Sequence, residues 1–287
     1  MNYLKYILSL LIFGSLGVFV KNINLSSEQI VFFRTTIASL IFMLYFMFSS
    51  KKLDLKNICS NILYLVLSGF CVGFDVACLF EAYNYTSVSI ATLFYYVSPI
   101  FIILLSPIFL KEKITFIKIF TISISLLGMY FISKPDIQNF NANYGVFLSI
   151  LGAFFCAFQV IFNKKLKDID TMSSTFIQLL SASFVMFIYT FIINKKSFII
   201  PDKKSLILIL ILGVVHTAIA FHLYFNSIVK LPTTSVVVLS YVDPISSIIF
   251  ASIFLNEKLV FIQIIGALLI LSSTLILELY QKKTNIK

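Results

Sequence analysis

Charge is what this sequence has least of. Charged residues make up 12% of its 287 positions, against roughly 25% in a soluble domain. So few cannot cover a water-facing surface, which excludes an ordinary soluble fold. Tryptophan is missing, and arginine occurs once, at Arg34. Tyrosine is then the aromatic left to mark a membrane–water boundary. The four cysteines, Cys59, Cys71, Cys78 and Cys156, form no C-x-x-C pair, so zinc spacing is absent. Three of them lie in apolar runs and read as small buried hydrophobes. No G-x-x-x-x-G-K-[ST], G-x-S-x-G or H-E-x-x-H occurs. ATP drive within the chain, a nucleophile elbow and a helical zinc site are set aside with them. Neither a cofactor nor a metal is expected, and enzyme chemistry is not.

What the chain does have is apolar length. Hydrophobic residues make up 60% of it and the mean hydropathy is +1.02. The net charge of +10 comes from lysines in short clusters between apolar runs. That pattern belongs to membrane orientation and argues against nucleic acid as a partner. Ten runs have roughly the length of a span: 4–20, 29–48, 62–80, 88–109, 115–133, 144–162, 173–193, 206–225, 233–255 and 260–279. The first follows Lys5 as a signal peptide would, but Lys21 and Asn22 come after it instead of a small-x-small cleavage pattern. A first span is expected there. With the amino terminus inside, 14 lysines fall on the cytoplasmic side and 7 outside. This bias predicts a multi-pass protein of the cell membrane with both termini cytoplasmic. The loop at 194–205, with four lysines on the other side, is the exception.

The chain repeats itself. Tyr96–Lys118 and Tyr241–Gln263, offset by 145, agree at 12 of 23 positions. Tyr96/Tyr241, Pro99/Pro244, Glu112/Glu257 and Lys113/Lys258 are among the matches, whereas Pro107 meets Ser252. Fainter echoes set "FFRTTIAS" (32–39) against "FIQLLSAS", so that Arg34 faces Gln178. Five spans per copy put the second copy upside down. The expected fold is an all-α integral membrane protein of ten transmembrane helices in two inverted repeats, 1–134 and 135–287. Inverted repeats are the architecture of secondary transporters.

"YVSP…FLKEK" and "YVDP…FLNEK", one in each five-span copy, resemble the EamA type of the drug/metabolite transporter superfamily. The arginine-bearing "FFRTTIAS" is similar to that family's second span. The resemblance covers essentially the whole chain. It implies a ten-helix carrier with a central cavity, exporting amino acids, related metabolites or drugs. Other members carry nucleotide sugars or sugar phosphates. The second copy departs from the first at Gln178 and at the extra "LPTT" of 231–234.

Polar groups inside the spans are the candidate site residues. An ionisable group there costs about 2.5–3.5 kcal/mol on insertion scales. Arg34 offers a planar donor fork suited to a carboxylate or phosphate; snorkelling or a structural ion pair is the rival role. Asp75 is a candidate proton or cation site, with an ion-pair role beside Arg34 or a histidine as its rival. Glu81, six residues on, falls about 120° off its face. Asp243 lies deep in the ninth run, just before Pro244. Gln178, His216, Tyr96 and Tyr241 complete the expected binding set, although hydrogen-bonded packing is the commoner use of such residues. His216 and His222 are six apart and do not form a helical metal pair. Pro99 and Pro244 are expected at helix kinks, which membranes tolerate. Glu112, Lys113, Glu257 and Lys258 are expected as helix-end anchors. "GFCVG" at 69–73 is a small-xxx-small packing pattern.

The partners expected are the lipid bilayer and a small-molecule substrate moved by alternating access, with protons as a coupling option. The chain would be a monomer or a weak homodimer. A sugar-phosphate carrier would need several buried cations, and the sequence offers one intramembrane arginine and no clear buried lysine. A lipid-modifying membrane enzyme would need a polar cluster at one interface, and the polar residues here are spread over both copies.

Overall fold

The computed structural model of the chain describes residues 2–49, 52–111, 115–133, 140–195, 197, 201–228, 230–231, 239–240 and 242–285. Among these residues every regular element is helical. The first half holds α1 (Asn2–Lys21), α2 (Ser27–Phe48), α3 (Leu55–Tyr85), α4 (Val88–Tyr95), α5 (Ser98–Leu110) and α6 (Phe116–Ser133). The second holds α7 (Phe140–Asn163), α8 (Thr171–Phe187), α9 (Lys203–Ile211), α10 (Ala220–Ile228), α11 (Val242–Leu255) and α12 (Phe261–Asn285). A π-helical stretch, Ile188–Ile193, prolongs α8, and another, Leu212–Ile219, joins α9 to α10.

Seven of the described helical stretches are long and apolar enough to cross a membrane. Three shorter apolar helices, Phe116–Ile132, Val242–Leu255 and Phe261–Ser273, accompany them. Together they follow the ten apolar runs of the sequence. Local chemistry sets where helices begin. The side chains of Asp54, Ser87, Asp170 and Asp202 each accept a hydrogen bond from a backbone N–H of the following first turn, satisfying donors a helix leaves unpaired. The outer surface is apolar where a soluble protein would be polar: Phe48, Phe116 and Phe261 are 85%, 81% and 77% exposed. Lipid tails solvate such groups at no cost, and water does not.

The most extensive helix contacts run between the halves. α3 lies along α7 and α8, α6 along α12, α1 along α10 and α11, and α2 along α8. Small residues allow the close approach. A Cβ built on Gly69 would stand 2.5 Å from the Gln178 carbonyl oxygen of α8. Gly128 of α6 and Gly266 of α12 face each other, each Cβ falling 2.7 and 2.6 Å from the other's carbonyl oxygen. Ser125 and Ser273 join the same two helices by a hydrogen bond. The main apolar core gathers Val31, Phe80, Tyr83, Val88, Ala91, Leu212 and Ala251 from both halves.

Two features echo the repeat. Lys111 ends α5 with φ 58° and Asn256 follows α11 with φ 55°, and the two are 145 positions apart. In each copy the residue before the glutamate turns the chain through the left-handed region, which Asn enters more readily than Lys. Glu112 and Lys113 themselves lie outside the described residues.

Candidate functional site

α2 brings Arg34 into the interior, where it is 7% exposed, and α3 brings Asp75, which is 2% exposed. The Arg34 guanidinium lies over the Phe80 ring, 5.5 Å from its centroid. Its Nε and Nη1 have no hydrogen-bond partner, and neither does Asp75 Oδ1. The two groups attract each other electrostatically. Unpaired charged groups in a low-dielectric interior are expensive, so the pair is held by the packing around it. On one side the helix α7 passes so closely that a Cβ on Gly152 would stand 2.8 Å from the Asp75 carbonyl oxygen.

The broken fourth span connects this pair to the second half. α4 stops at Tyr95, a turn covers Tyr96 and Val97, and α5 begins at Ser98. Pro99 sits in the first turn of α5, where its missing N–H leaves no partner wanting. The turn presents two phenols in different directions, their rings 88° apart. Tyr95 donates to Asp75 Oδ2 at 3.4 Å. Tyr96 donates to Asp243 Oδ2 of α11 at 2.6 Å. Pro244, next to Asp243, likewise lies in the first turn of its helix. Neighbouring tyrosines of the break thus hold Asp75 of the first half and Asp243 of the second, in two separate contacts. Tyr241 lies outside the described residues.

The other expected residues stand elsewhere. His216 is in the second π-helical stretch, its Nε2 2.9 Å from Ser15 Oγ and its ring against Phe19 at 4.6 Å. Gln178 donates to Asn163 Oδ1 at 2.8 Å and accepts from Ser68 at 3.0 Å. Gln178 and Asn163 line a cavity of about 380 Å³, with Asp168, Thr171 and Thr175 at the face where α3 and α8 begin. At the opposite face, Glu257 accepts from the N–H groups of Val88 and Ser89 and from the Ser89 hydroxyl, at 2.7, 2.9 and 2.8 Å. Lys258 beside it is exposed. Glu81 accepts from Ser27 and Asn84, off the Asp75 face as its spacing predicts.

Several participants escaped the sequence. Tyr83, Thr92 and Ser247 link α3, α4 and α11 through hydroxyls at 3.5 and 3.4 Å, and nothing in their local pattern marks them. Lys118, counted by sequence among the cytoplasmic-side lysines, is 6% exposed in α6; the sequence had offered no clear buried lysine. The π-helical stretches carry no composition signal, although Thr217 Oγ1 bonding to the Leu212 carbonyl five residues back at 2.9 Å is their local signature. No three His, Cys, Asp or Glu side chains converge as metal ligands among the described residues.

Apolar helices of spanning length around buried, partly unpaired polar groups define a multi-span membrane protein. The chain belongs to the EamA-like transporter family, whose model matches residues 2–134 and again 143–279. A Bacillus subtilis protein named uncharacterized transporter YxxF is 27% identical over 99% of this chain and 91% of its own. A Rickettsia conorii S-adenosylmethionine uptake transporter is 24% identical over 91% of this chain and 85% of its own. A solved crystal structure superposes with a TM-score of 0.66 over 97% of this chain and 98% of that one, at 14% identity, and shows the shared fold. The family and these relatives are named as transporters, and none of them as an enzyme.

Proposed function

We propose that the protein is a secondary transporter of small zwitterionic metabolites, amino acids or compounds carrying an amino-acid head group. The observation behind this reading is two buried, incompletely partnered groups: two open donor nitrogens on Arg34 and one open oxygen on Asp75. A guanidinium fork matches a ligand carboxylate and a carboxylate matches an ammonium. S-adenosylmethionine, named for the Rickettsia relative, bears both groups on its methionine part. Asp243, held by Tyr96 across the halves, is a second acceptor for the amine or for a coupling proton. The sugar-phosphate alternative draws on Lys118 as an added cation, but Lys118 lies near the start of α6, where α3 and α8 also begin, whereas Arg34 stands two turns from the opposite end of the molecule.

The protein would work by alternating access between two inverted halves, 1–134 and 135–287, in the cell membrane with both termini cytoplasmic. Export is the direction carried by the family resemblance. The test is counterflow of labelled amino acids and S-adenosylmethionine in proteoliposomes, in both orientations. Arg34→Lys and Asp75→Asn are expected to cut the rate at least about ten-fold, the scale of losing one charge-assisted contact. Proton coupling predicts in addition that Asp75→Asn flattens the pH dependence. A panel in which nothing moves, or variants with parental rates, would overturn the reading.

A further inference from the structure

Glu257 belongs to the second half, yet it satisfies the start of a first-half helix. α4 has no acidic residue in its own first turn. Of its leading N–H groups, Ile90 donates to Ser87 and the next two positions back, Val88 and Ser89, donate to Glu257. A carboxylate at this place also complements the positive end of the helix. The left-handed backbone at Asn256 turns the chain so that Glu257 points back at α4.

This contact is the first rung of a ladder. One turn deeper, Thr92 of α4 meets Ser247 of α11 at 3.4 Å, and one turn deeper again Tyr96 meets Asp243 at 2.6 Å. Positions 88 and 92 share one face of α4, and Tyr96 follows in the turn just past its end. The seam between the halves therefore carries polar contacts at intervals along its length, with a carboxylate at each end, beside Val88, Ala91 and Ala251 of the apolar core. Water can replace each rung when the seam parts, whereas a seam of interlocked apolar side chains would lose its burial outright. Below the last rung α4 ends and a turn at Tyr96–Val97 separates it from α5. α11 has a separate hold on the first half, because a Cβ on Gly14 of α1 would strike Ser246 and the Asp243 carbonyl. The cavity of about 380 Å³ lies at the other face, beside Asp168 and Thr171.

Resting on the transport reading above, we infer that the α4–α11 seam is the gate of the pathway at the face where α3 ends, with Glu257 as its latch. The structure shows it shut, and each transport cycle opens it by drawing α4 away from α11.

The test replaces the four native cysteines with alanine and introduces Thr92→Cys with Ser247→Cys. In the reduced state this pair transports. Oxidation joins α4 to α11, and the rate is expected to fall at least about ten-fold, with recovery on adding reductant. Transport that continues unchanged through the cross-link overturns the gate. A second arm needs no substrate: Ser247→Cys alone is labelled with an impermeant maleimide. Labelling is expected to be at least about ten-fold faster in Glu257→Ala and intermediate in Glu257→Gln, which keeps one acceptor oxygen. Equal rates in the three proteins overturn the latch even if no solute is found. A reduced pair that moves nothing across the panel counts against the transport reading, and the labelling arm then decides the gate separately.

Discussion

Tyr96 spends its hydroxyl on a carboxylate that belongs to the other half of the chain. Tyr96→Phe removes that donor and leaves Asp243 Oδ2 without it. A charged acceptor deprived of its partner in a protein interior costs about 1–3 kcal/mol. The variant is expected to melt at a lower temperature in detergent by a matching amount, and Asp243→Asn in the same background to recover most of it. At this scale the sequence was legible only where it broke its own pattern. Arg34, Asp75 and Asp243 stood out because charge is rare in apolar runs. Phe80, Thr92 and Ser247, which touch them or continue their ladder, look like any other residue of a span. The burial of Lys118 was missed because a lysine near a span end reads as an exposed one unless its neighbours are known.

Helices begin and end here by rules that proximity in sequence can reveal. Asp202 caps α9: its carboxylate accepts from the Lys204 and Ser205 N–H groups at 3.2 and 3.3 Å. The Ser205 side chain and these amides hold that carboxyl below its ordinary pKa. A lowered folded-state pKa stabilises the fold above the unfolded value, about 3.9, and the contribution is lost as the pH falls through the folded value. Asp202→Ala is expected to melt below the parent at pH 7, with the gap closing in acid; a gap that persists below that range would disprove the cap's ionic character. Ten apolar runs and most of their ends were readable in this way, whereas Pro99 and Pro244, expected at kinks, lie in the first turns of their helices. The π-helical stretches were not, because an extra residue in a turn changes no composition. The capping of α4 by Glu257 was not either. The sequence marked Glu257 as an anchor, but its partner lies 168 and 169 positions away.

The repeat was visible in letters, yet letters did not say how the copies meet. α3, α1, α2 and α6 each lie along helices of the other half, so the apolar face of one copy is covered by the other. A segment of 1–134 alone would leave those faces, and groups such as Gly69 and Gly128, without their neighbours. Expressed alone it is expected to be degraded or aggregated, while co-expression with 135–287 as a separate chain restores a monodisperse protein in size-exclusion chromatography. Recovery of a stable, monodisperse half would show that the copies are independent units. Symmetry in a sequence is a one-dimensional property; the interleaving depends on which faces of each span are small, and that required coordinates.

The joint at Tyr96–Val97 has a consequence for temperature. In an uninterrupted helix, bending stretches or breaks backbone hydrogen bonds, and the activation enthalpy rises with each one lost. Pro99 has no N–H to give the Tyr95 carbonyl, so this joint has one such bond fewer to lose, although Val97 still donates to the Phe94 carbonyl at 3.3 Å. Swinging about it breaks fewer backbone bonds than bending an uninterrupted helix, and much of the steepness of any Arrhenius slope is left to the side chains flanking the joint. A chain that has to keep working in the cold is well served by a spine that does not stiffen first.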